Sequence, residues 1–194
     1  LAPSLGNALE VAEVMRVLTG QTAGPLVEIA AVLGGVLLSN GGLAPDAQTG
    51  AKVVRAAIED GRAAMRFGKM IAAMGGPVGF VENWQRFLPE ATVIREVPAG
   101  ETGYVQAIDG EALGLAVVAL GGGRRVEKDV IDPAVGIAQV CRLGAEIKRG
   151  QPLAVVHAAR PDAADQAVAA VRAAISLSPD PLATLPDLIR RKIG

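Results

Sequence analysis

The residues best suited to chemistry lie in one short segment, where three glycines precede two arginines at positions 121–125. Glycine reaches backbone conformations that other residues avoid, so Gly121, Gly122 and Gly123 predict a segment that bends, opens or closes. Arg124 and Arg125 add permanent charges whose forked donors suit a phosphate or a carboxylate. Two interpretations stay open: a loop that closes over an anionic substrate, or a helix capped by glycine and followed by two solvated arginines.

The single histidine and the single cysteine both favour structural roles. His157 lies in the apolar pattern LAVVHA, which is typical of a strand, and no serine lies in the sharp turn that exposes a hydrolase nucleophile. Chemistry by a Ser, His and Asp set is therefore not expected. Cys141 alone forms neither an internal disulfide nor a cysteine-based zinc site, so we interpret it as a core residue in a reducing compartment.

The composition is that of a folded protein. Of its 194 residues, 51% are hydrophobic and 20% are charged, so the chain can bury one sizeable core or two small ones. The basic side chains number 19 and the acidic ones 20, so the net charge of -1 predicts no nucleic-acid partner. No apolar run approaches the roughly 20 residues of a membrane helix. The start, LAPSLGN, lacks a signal peptide and an initiator methionine, so we expect a cytoplasmic protein and a cut inside a longer chain.

Apolar periodicity predicts only helices before the Gly75–Gly76 pair. The predicted helices are Asn7–Gly20, Pro25–Ser39, Pro45–Glu59 and one that carries Ala64–Met74, followed by a short helix over Phe80–Phe87. The single tryptophan and all the phenylalanines fall between Phe67 and Phe87. Because a base-stacking surface is usually interleaved with Lys and Arg, we interpret these aromatic residues as a packing seam.

From Ala91 the apolar period changes to two, which predicts strands and the start of a second domain. Val93–Val97 and Tyr104–Ile108 predict a hairpin-like pair across the turn PAGETG. The remaining predicted elements are a helix over Glu111–Leu120, strands over Val135–Leu143 and Leu153–Ala158, and a helix from Pro161 whose apolar stripe reaches Ile175. The tail over Leu185–Ile193 is amphipathic and predicts no definite element.

Four ordered blocks give the chain a family resemblance. They are LGNALEV at Leu5–Val11, FGKMIAAMGGPVGFVENWQRFLP at Phe67–Pro89, ALGLAVVALGGGRR at Ala112–Arg125 and PLAVVHA at Pro152–Ala158. Together they resemble the C-terminal part of the thymidine phosphorylase and pyrimidine-nucleoside phosphorylase family. The resemblance implies an α/β (α+β) fold: the helical remainder of a large α/β domain over 1–89, then an α+β domain over 90–194 with a β-hammerhead or barrel-sandwich-like subdomain.

The resemblance also implies an activity. Family members are pentosyltransferases that convert thymidine and phosphate reversibly into thymine and 2-deoxy-D-ribose 1-phosphate, without an organic cofactor. Their phosphate loop and base-binding residues lie upstream of the LGNALEV block and have no match here, so no catalytic residue is assigned and the isolated chain is expected to be inactive. The family's homodimer contacts lie largely in N-terminal helices that this sequence also lacks.

Two groups of site residues follow from the same resemblance. The family holds a potassium ion with two loop carbonyls and a helix glutamate, which match Leu1, Ser4 and Glu13, and with two upstream residues absent here. Without the resemblance, Glu13 is explained by the positive end of the first helix. The segment Gly121–Val130, with Arg124 and Arg125, corresponds to a mobile segment that helps to close the family's substrate cleft.

Two other classes stay open. A stand-alone, non-catalytic binding or interaction domain derived from a phosphorylase would need no upstream partner. The related anthranilate phosphoribosyltransferases share the helical and α/β parts, but the turn EVPAGETGYV and the glycine segment argue against them. The same turn resembles biotinyl and lipoyl carrier domains, yet no lysine lies at a later hairpin tip, so a carrier function is not expected.

Overall fold

The computed structural model describes residues 3–189, which form seven helices and six strands. The helices are α1 Asn7–Leu18, α2 Pro25–Asn40, α3 Ala47–Glu59, α4 Arg62–Ala73, α5 Phe80–Phe87, α6 Gly110–Leu120 and α7 Pro161–Ala174. The strands are β1 Val93–Pro98, β2 Gly103–Ile108, β3 Gly136–Ala138, β4 Glu146–Ile147, β5 Pro152–Ala158 and β6 Ile175–Ser178. The predicted α+β class is confirmed. The chain divides into a helical unit, Ala12–Phe87, and a mixed unit formed by Pro3–Val11 with Leu88–Leu185.

In the helical unit, local sequence signals place the helices where periodicity predicts them. Helix α2 begins with Pro25, whose missing N–H costs nothing in the first turn. Helix α3 is capped by Asp46, whose carboxylate accepts a hydrogen bond of 2.7 Å from the Thr49 N–H. Helices α2 and α3 pack through Gly35 and Gly50, where a Cβ added to Gly35 would lie 2.3 Å from the Ala47 carbonyl oxygen. These two glycines are therefore needed for the close approach of the two backbones.

The aromatic side chains pack with one another inside this unit. The ring of Phe80 lies 6.1 Å from that of Phe67 and 6.1 Å from that of Phe87, measured between centroids. Trp84 is buried, and the Arg16 guanidinium lies 5.8 Å from its ring centre. These contacts favour packing over base stacking, as the sequence predicts.

The mixed unit contains two antiparallel sheets of three strands, in the orders β1-β5-β3 and β4-β2-β6. The predicted hairpin between the first two strands is therefore wrong, because β1 and β2 belong to different sheets. The turn between them is held from elsewhere: the Ala99 N–H donates to the Gln151 carbonyl, and the Gly150 N–H donates to the Ala99 carbonyl, both at 2.9 Å. Gly103 packs against the Ser178 backbone, so β2 pairs with β6.

Two further boundaries differ from the prediction. The strand predicted over Val135–Leu143 ends at Ala138, because Gln139 has a φ of 53° that no extended strand accommodates. The helix predicted to reach Ile175 ends one residue earlier, since Ile175 is the first residue of β6 and lies opposite Ile108. The strand therefore ends at a left-handed residue, and the helix ends where a pairing with a distant strand begins.

The core of the mixed unit lies around β5, where Val156 and Ala154 are fully buried among residues of α6 and α7. The N-terminal segment joins the first sheet, since Leu5 forms a bridge with Ile137 of β3 through hydrogen bonds of 2.7 and 2.8 Å. A Cβ on Gly136 would lie 2.3 Å from the Leu5 carbonyl oxygen. The LGNALEV block is thus an integral part of the mixed unit.

Candidate functional site

The three glycines after α6 have two different structural roles. Helix α6 begins at its Asp109 cap and ends at Gly121, whose φ of 99° is the left-handed conformation typical of a helix C-cap. Gly122 and Gly123 pack closely, because a Cβ on either would lie 2.8 Å from a side-chain carbon of Val117 or Val118. The first glycine therefore supports the capped-helix interpretation, and the other two serve close packing rather than free bending.

Hydrogen bonds hold the base of the segment Gly121–Asp132, which we name the arginine loop. The Asp132 N–H donates a 2.9 Å hydrogen bond to the Gly121 carbonyl, which closes the loop on itself. The Asn7 side chain donates a 3.0 Å hydrogen bond to the Gly122 carbonyl. Two of the blocks that resemble the phosphorylases, LGNALEV and the glycine segment, are thus in direct contact.

Inside the arginine loop, one carboxylate organises the tip. An oxygen of Asp129 accepts hydrogen bonds from the Arg125 N–H at 2.9 Å and from the Val126 N–H at 3.2 Å. These bonds, and more weakly the charges of Arg125 and Arg124, lower the pKa of Asp129 below its usual value. The side chains of both arginines are exposed, and neither forms an ion pair within residues 3–189. The loop therefore presents two cations from an ordered backbone.

Sequence analysis missed the residues that fasten this loop. Asn7 lies far away in the chain, and no local pattern connects it with Gly122. The roles of Asp129 and Asp132 could have been predicted from their residue type, because Asp favours turns in which its carboxylate accepts a hydrogen bond from a nearby backbone N–H. Asp132 does so with the Ala134 N–H at 2.9 Å, just where the chain enters the core.

His157 and Cys141 occupy structural positions. His157 lies in the central strand β5, opposite Ile94 of β1 and Gly136 of β3. It is half-buried, and burial lowers its pKa, while burial raises the pKa of the Cys141 thiol. In the part of the chain that the structure describes, the His157 side chain makes no hydrogen bond to a serine or an aspartate. This supports the structural interpretation of both residues.

Of the three residues matched to a potassium site, two lie in the described part of the chain and each has an oxygen atom that could bind the ion. Leu1 lies outside the described residues. Ser4 is buried, and no N–H within residues 3–189 donates to its carbonyl, which leaves that oxygen available as a ligand. Glu13 is largely buried and pairs with Arg16 at 3.1 Å through one carboxylate oxygen. Carbonyl and carboxylate oxygens are the ligand types that a hard cation takes, so Ser4 and the second oxygen of Glu13 fit such an ion individually.

Glu10 has a separate role. Its carboxylate accepts a 2.9 Å hydrogen bond from the Gly6 N–H, directly before α1 begins. An acidic side chain in the first turn of a helix satisfies a free N–H and suits the positive end of the helix dipole. Glu10 therefore acts as a helix-capping residue.

A shallow groove of about 410 Å³ lies between α4 and the start of α5 in the helical unit. Most of its lining residues are apolar, and Lys69 and Glu82 are the charged ones among them. Among the described residues, no group of three His, Cys, Asp or Glu side chains could hold a metal ion. Nor does any helix in this part of the chain have the length and apolarity needed to cross a membrane.

A comparison with protein-family models finds one match. Residues 104–178 match the pyrimidine nucleoside phosphorylase C-terminal domain. The matched segment extends from Tyr104, the second residue of β2, to the end of β6 and includes the whole arginine loop. It contains two of the four sequence blocks, Ala112–Arg125 and Pro152–Ala158. Residues 104–178, less than half of the chain, are thus identified as a pyrimidine nucleoside phosphorylase C-terminal domain.

Proposed function

We propose that this chain is the C-terminal portion of a thymidine phosphorylase, a pentosyltransferase of pyrimidine metabolism. The reaction is the reversible attack of phosphate on C1' of thymidine, which releases thymine and leaves 2-deoxy-D-ribose 1-phosphate. The observation that carries the proposal is the domain match over residues 104–178 with the arginine loop inside it. Phosphate is then a co-substrate, no organic cofactor is needed, and the complete enzyme is a cytoplasmic homodimer.

In this proposal the arginine loop supplies positive charge when the substrate cleft closes. Phosphorolysis is catalysed mainly by positioning and by electrostatic stabilisation of charge that develops in the transition state. Arg124 and Arg125 are exposed on a fastened backbone, so the chain can bring both charges to a phosphate without first ordering the loop. Catalytic and base-binding side chains are supplied by a different part of the enzyme.

A potassium ion bound by Leu1, Ser4 and Glu13 belongs to the same proposal. The available Ser4 carbonyl and the second carboxylate oxygen of Glu13 support it. The ion would supply a fixed positive charge. Within this chain, Glu13 already carries one countercharge from Arg16, which rests against Trp84.

The surface of α2 supports the assignment as a portion of a larger enzyme. Leu33 and Leu37 are four residues apart on this helix and are 57% and 72% exposed, and Leu43 beyond its end is 76% exposed. Apolar side chains grouped in this way commonly mark a surface that packs against other protein. We therefore propose that this surface is covered in the complete phosphorylase, and that the chain alone has no phosphorolytic activity.

The test is a phosphorolysis assay that measures thymine release from thymidine and inorganic phosphate. We expect no turnover by the 194-residue chain, and turnover by a complete phosphorylase that contains it. In the complete enzyme, replacing both arginines, Arg124→Ala with Arg125→Ala, should lower kcat/KM by about a hundredfold or more, since losing one transition-state contact of this kind already costs about 10²- to 10³-fold. The matched control is Arg142→Ala, an exposed arginine outside the loop.

Two results would contradict the proposal. Turnover by the isolated chain close to that of a complete enzyme would show that it carries its own catalytic groups. A complete protein without phosphorolytic activity towards thymidine and uridine would favour a non-catalytic interaction domain. If the arginine variant and its control have equal kcat/KM, the loop is a passive connector.

A further inference from the structure

The shape of the arginine-loop tip depends on hydrogen bonds rather than on packing. Val126 and Val130 are 60% and 92% exposed, so the tip buries little apolar surface. All the hydrogen bonds within residues 124–130 involve one residue: the Arg125 and Val126 N–H groups donate to the Asp129 carboxylate, and the Asp129 N–H donates to the Val126 carbonyl at 3.1 Å. Removing that carboxylate leaves the tip with a single internal hydrogen bond.

We propose that Asp129 is a positioning residue that holds the tip of the arginine loop in the conformation described above, and thereby fixes the backbone that carries Arg124 and Arg125. A change in the shape of the tip then requires the Asp129 carboxylate to release both N–H groups. The base of the loop does not depend on it, because the bonds from Asp132 to Gly121 and from Asn7 to Gly122 are separate. The loop therefore has a fixed base and a tip controlled by one ionised side chain.

The charges of the tip favour this arrangement. A carboxylate that accepts two N–H bonds is a charge-assisted acceptor, which is about twice as strong as a neutral one. The positive charges of Arg125 and Arg124 stabilise the same negative charge. Neutral Asn at position 129 would keep an oxygen acceptor and lose both of these advantages.

The conformational role is independent of any reaction, and only its use in closing a substrate cleft rests on the proposed function. The experiment is amide hydrogen exchange by NMR on the complete chain, with the rates at Arg125 and Val126 divided by their intrinsic rates. In Asp129→Ala we expect the protection of these two amides to fall by about ten- to a hundredfold, the range that charged hydrogen bonds support. In Asp129→Asn the fall should be smaller.

The matched control is Glu127→Ala. Glu127 is a neighbouring exposed acid that makes no hydrogen bond or ion pair in the part of the chain described by the structure. This variant should leave both amides as protected as in the wild type. Protection of the Val156 amide in the buried strand β5 reports whether each variant keeps its fold.

The proposal is overturned if Arg125 and Val126 are unprotected in the wild type, or if Asp129→Ala leaves their protection unchanged while Val156 stays protected. If Asp129→Ala does not fold, Asp129→Asn decides by the same criterion. Neither nucleoside nor phosphate is present in this experiment. Its failure is therefore distinguishable from a failure of the proposed phosphorolysis.

Discussion

The contact between α2 and α3 gives the sharpest prediction about the helical unit. Replacing Gly35 by alanine adds a Cβ that would lie 2.3 Å from the Ala47 carbonyl oxygen and 2.6 Å from the Ala51 nitrogen. The helices must separate by about 1 Å to restore an ordinary contact, and because the obstructing atoms are backbone, no side-chain rotation relieves them. Overpacking of this kind costs about 3 kcal/mol, against a gain of about 1 kcal/mol in helix propensity. We expect Gly35→Ala to lower the free energy of unfolding by about 2 kcal/mol.

The adjacent glycine provides the matched control. A Cβ on Gly34 would meet only the Val54 side chain, whose Cγ2 would lie 2.8 Å away. In a Val54→Ala background, Gly34→Ala should therefore raise the free energy of unfolding by about 1 kcal/mol, the helix-propensity term alone. Gly35→Ala should remain destabilising in that background, because its obstacle is still present.

The assay is urea unfolding followed by tryptophan fluorescence. Trp84 is the single tryptophan and lies in the helical unit, so its signal reports on that unit without contributions from the two sheets. Equal stabilities of wild type and Gly35→Ala would refute the reasoning. So would a Val54→Ala background that rescues both glycine variants equally, since that would mean that side-chain packing controls the spacing of α2 and α3.

Two further predictions concern the mixed unit. Gly136→Ala should lower the free energy of unfolding by about 1–3 kcal/mol, because the new Cβ would separate β3 from Leu5. Gly114→Ala in α6 should raise it, because a Cβ there would meet no atom within 4 Å. Equal effects of the two variants in urea unfolding followed by circular dichroism would contradict this. The single imidazole of His157 should titrate by NMR with a midpoint below its ordinary value of 6.5. Because the unfolded chain then binds the proton more readily, stability should fall as the pH drops through 6.5 towards the folded pKa, and His157→Gln should flatten this slope; a midpoint above 6.5 would reverse the sign.

The helices could be predicted from the sequence, whereas the strand pairings could not. Helix periodicity and capping are local, so Pro25, Asp46 and Gly121 marked helix ends in the sequence. The partners of β1 and β2 lie in β5 and β6, and no local signal distinguishes that pairing from a hairpin. In the arginine loop, too, local features could be predicted and distant contacts could not. Its glycines and arginines were visible as residue types, but the Asn7 contact joins residues 115 positions apart.

Both sheets are completed by strands that come late in the mixed unit, β5 and β6. Strand β5 pairs on both sides and joins β1 to β3, and β2 finds its longer partner only in β6, which ends at Ser178. During translation, β1 must therefore stay unpaired until β5 is synthesised, and β2 has only the two-residue strand β4 as a partner until β6 is synthesised. A stop codon shortly before Pro152 should remove both β5 and β6 and leave the first two strands without their main partners, whereas one after Ser178 should spare every pairing.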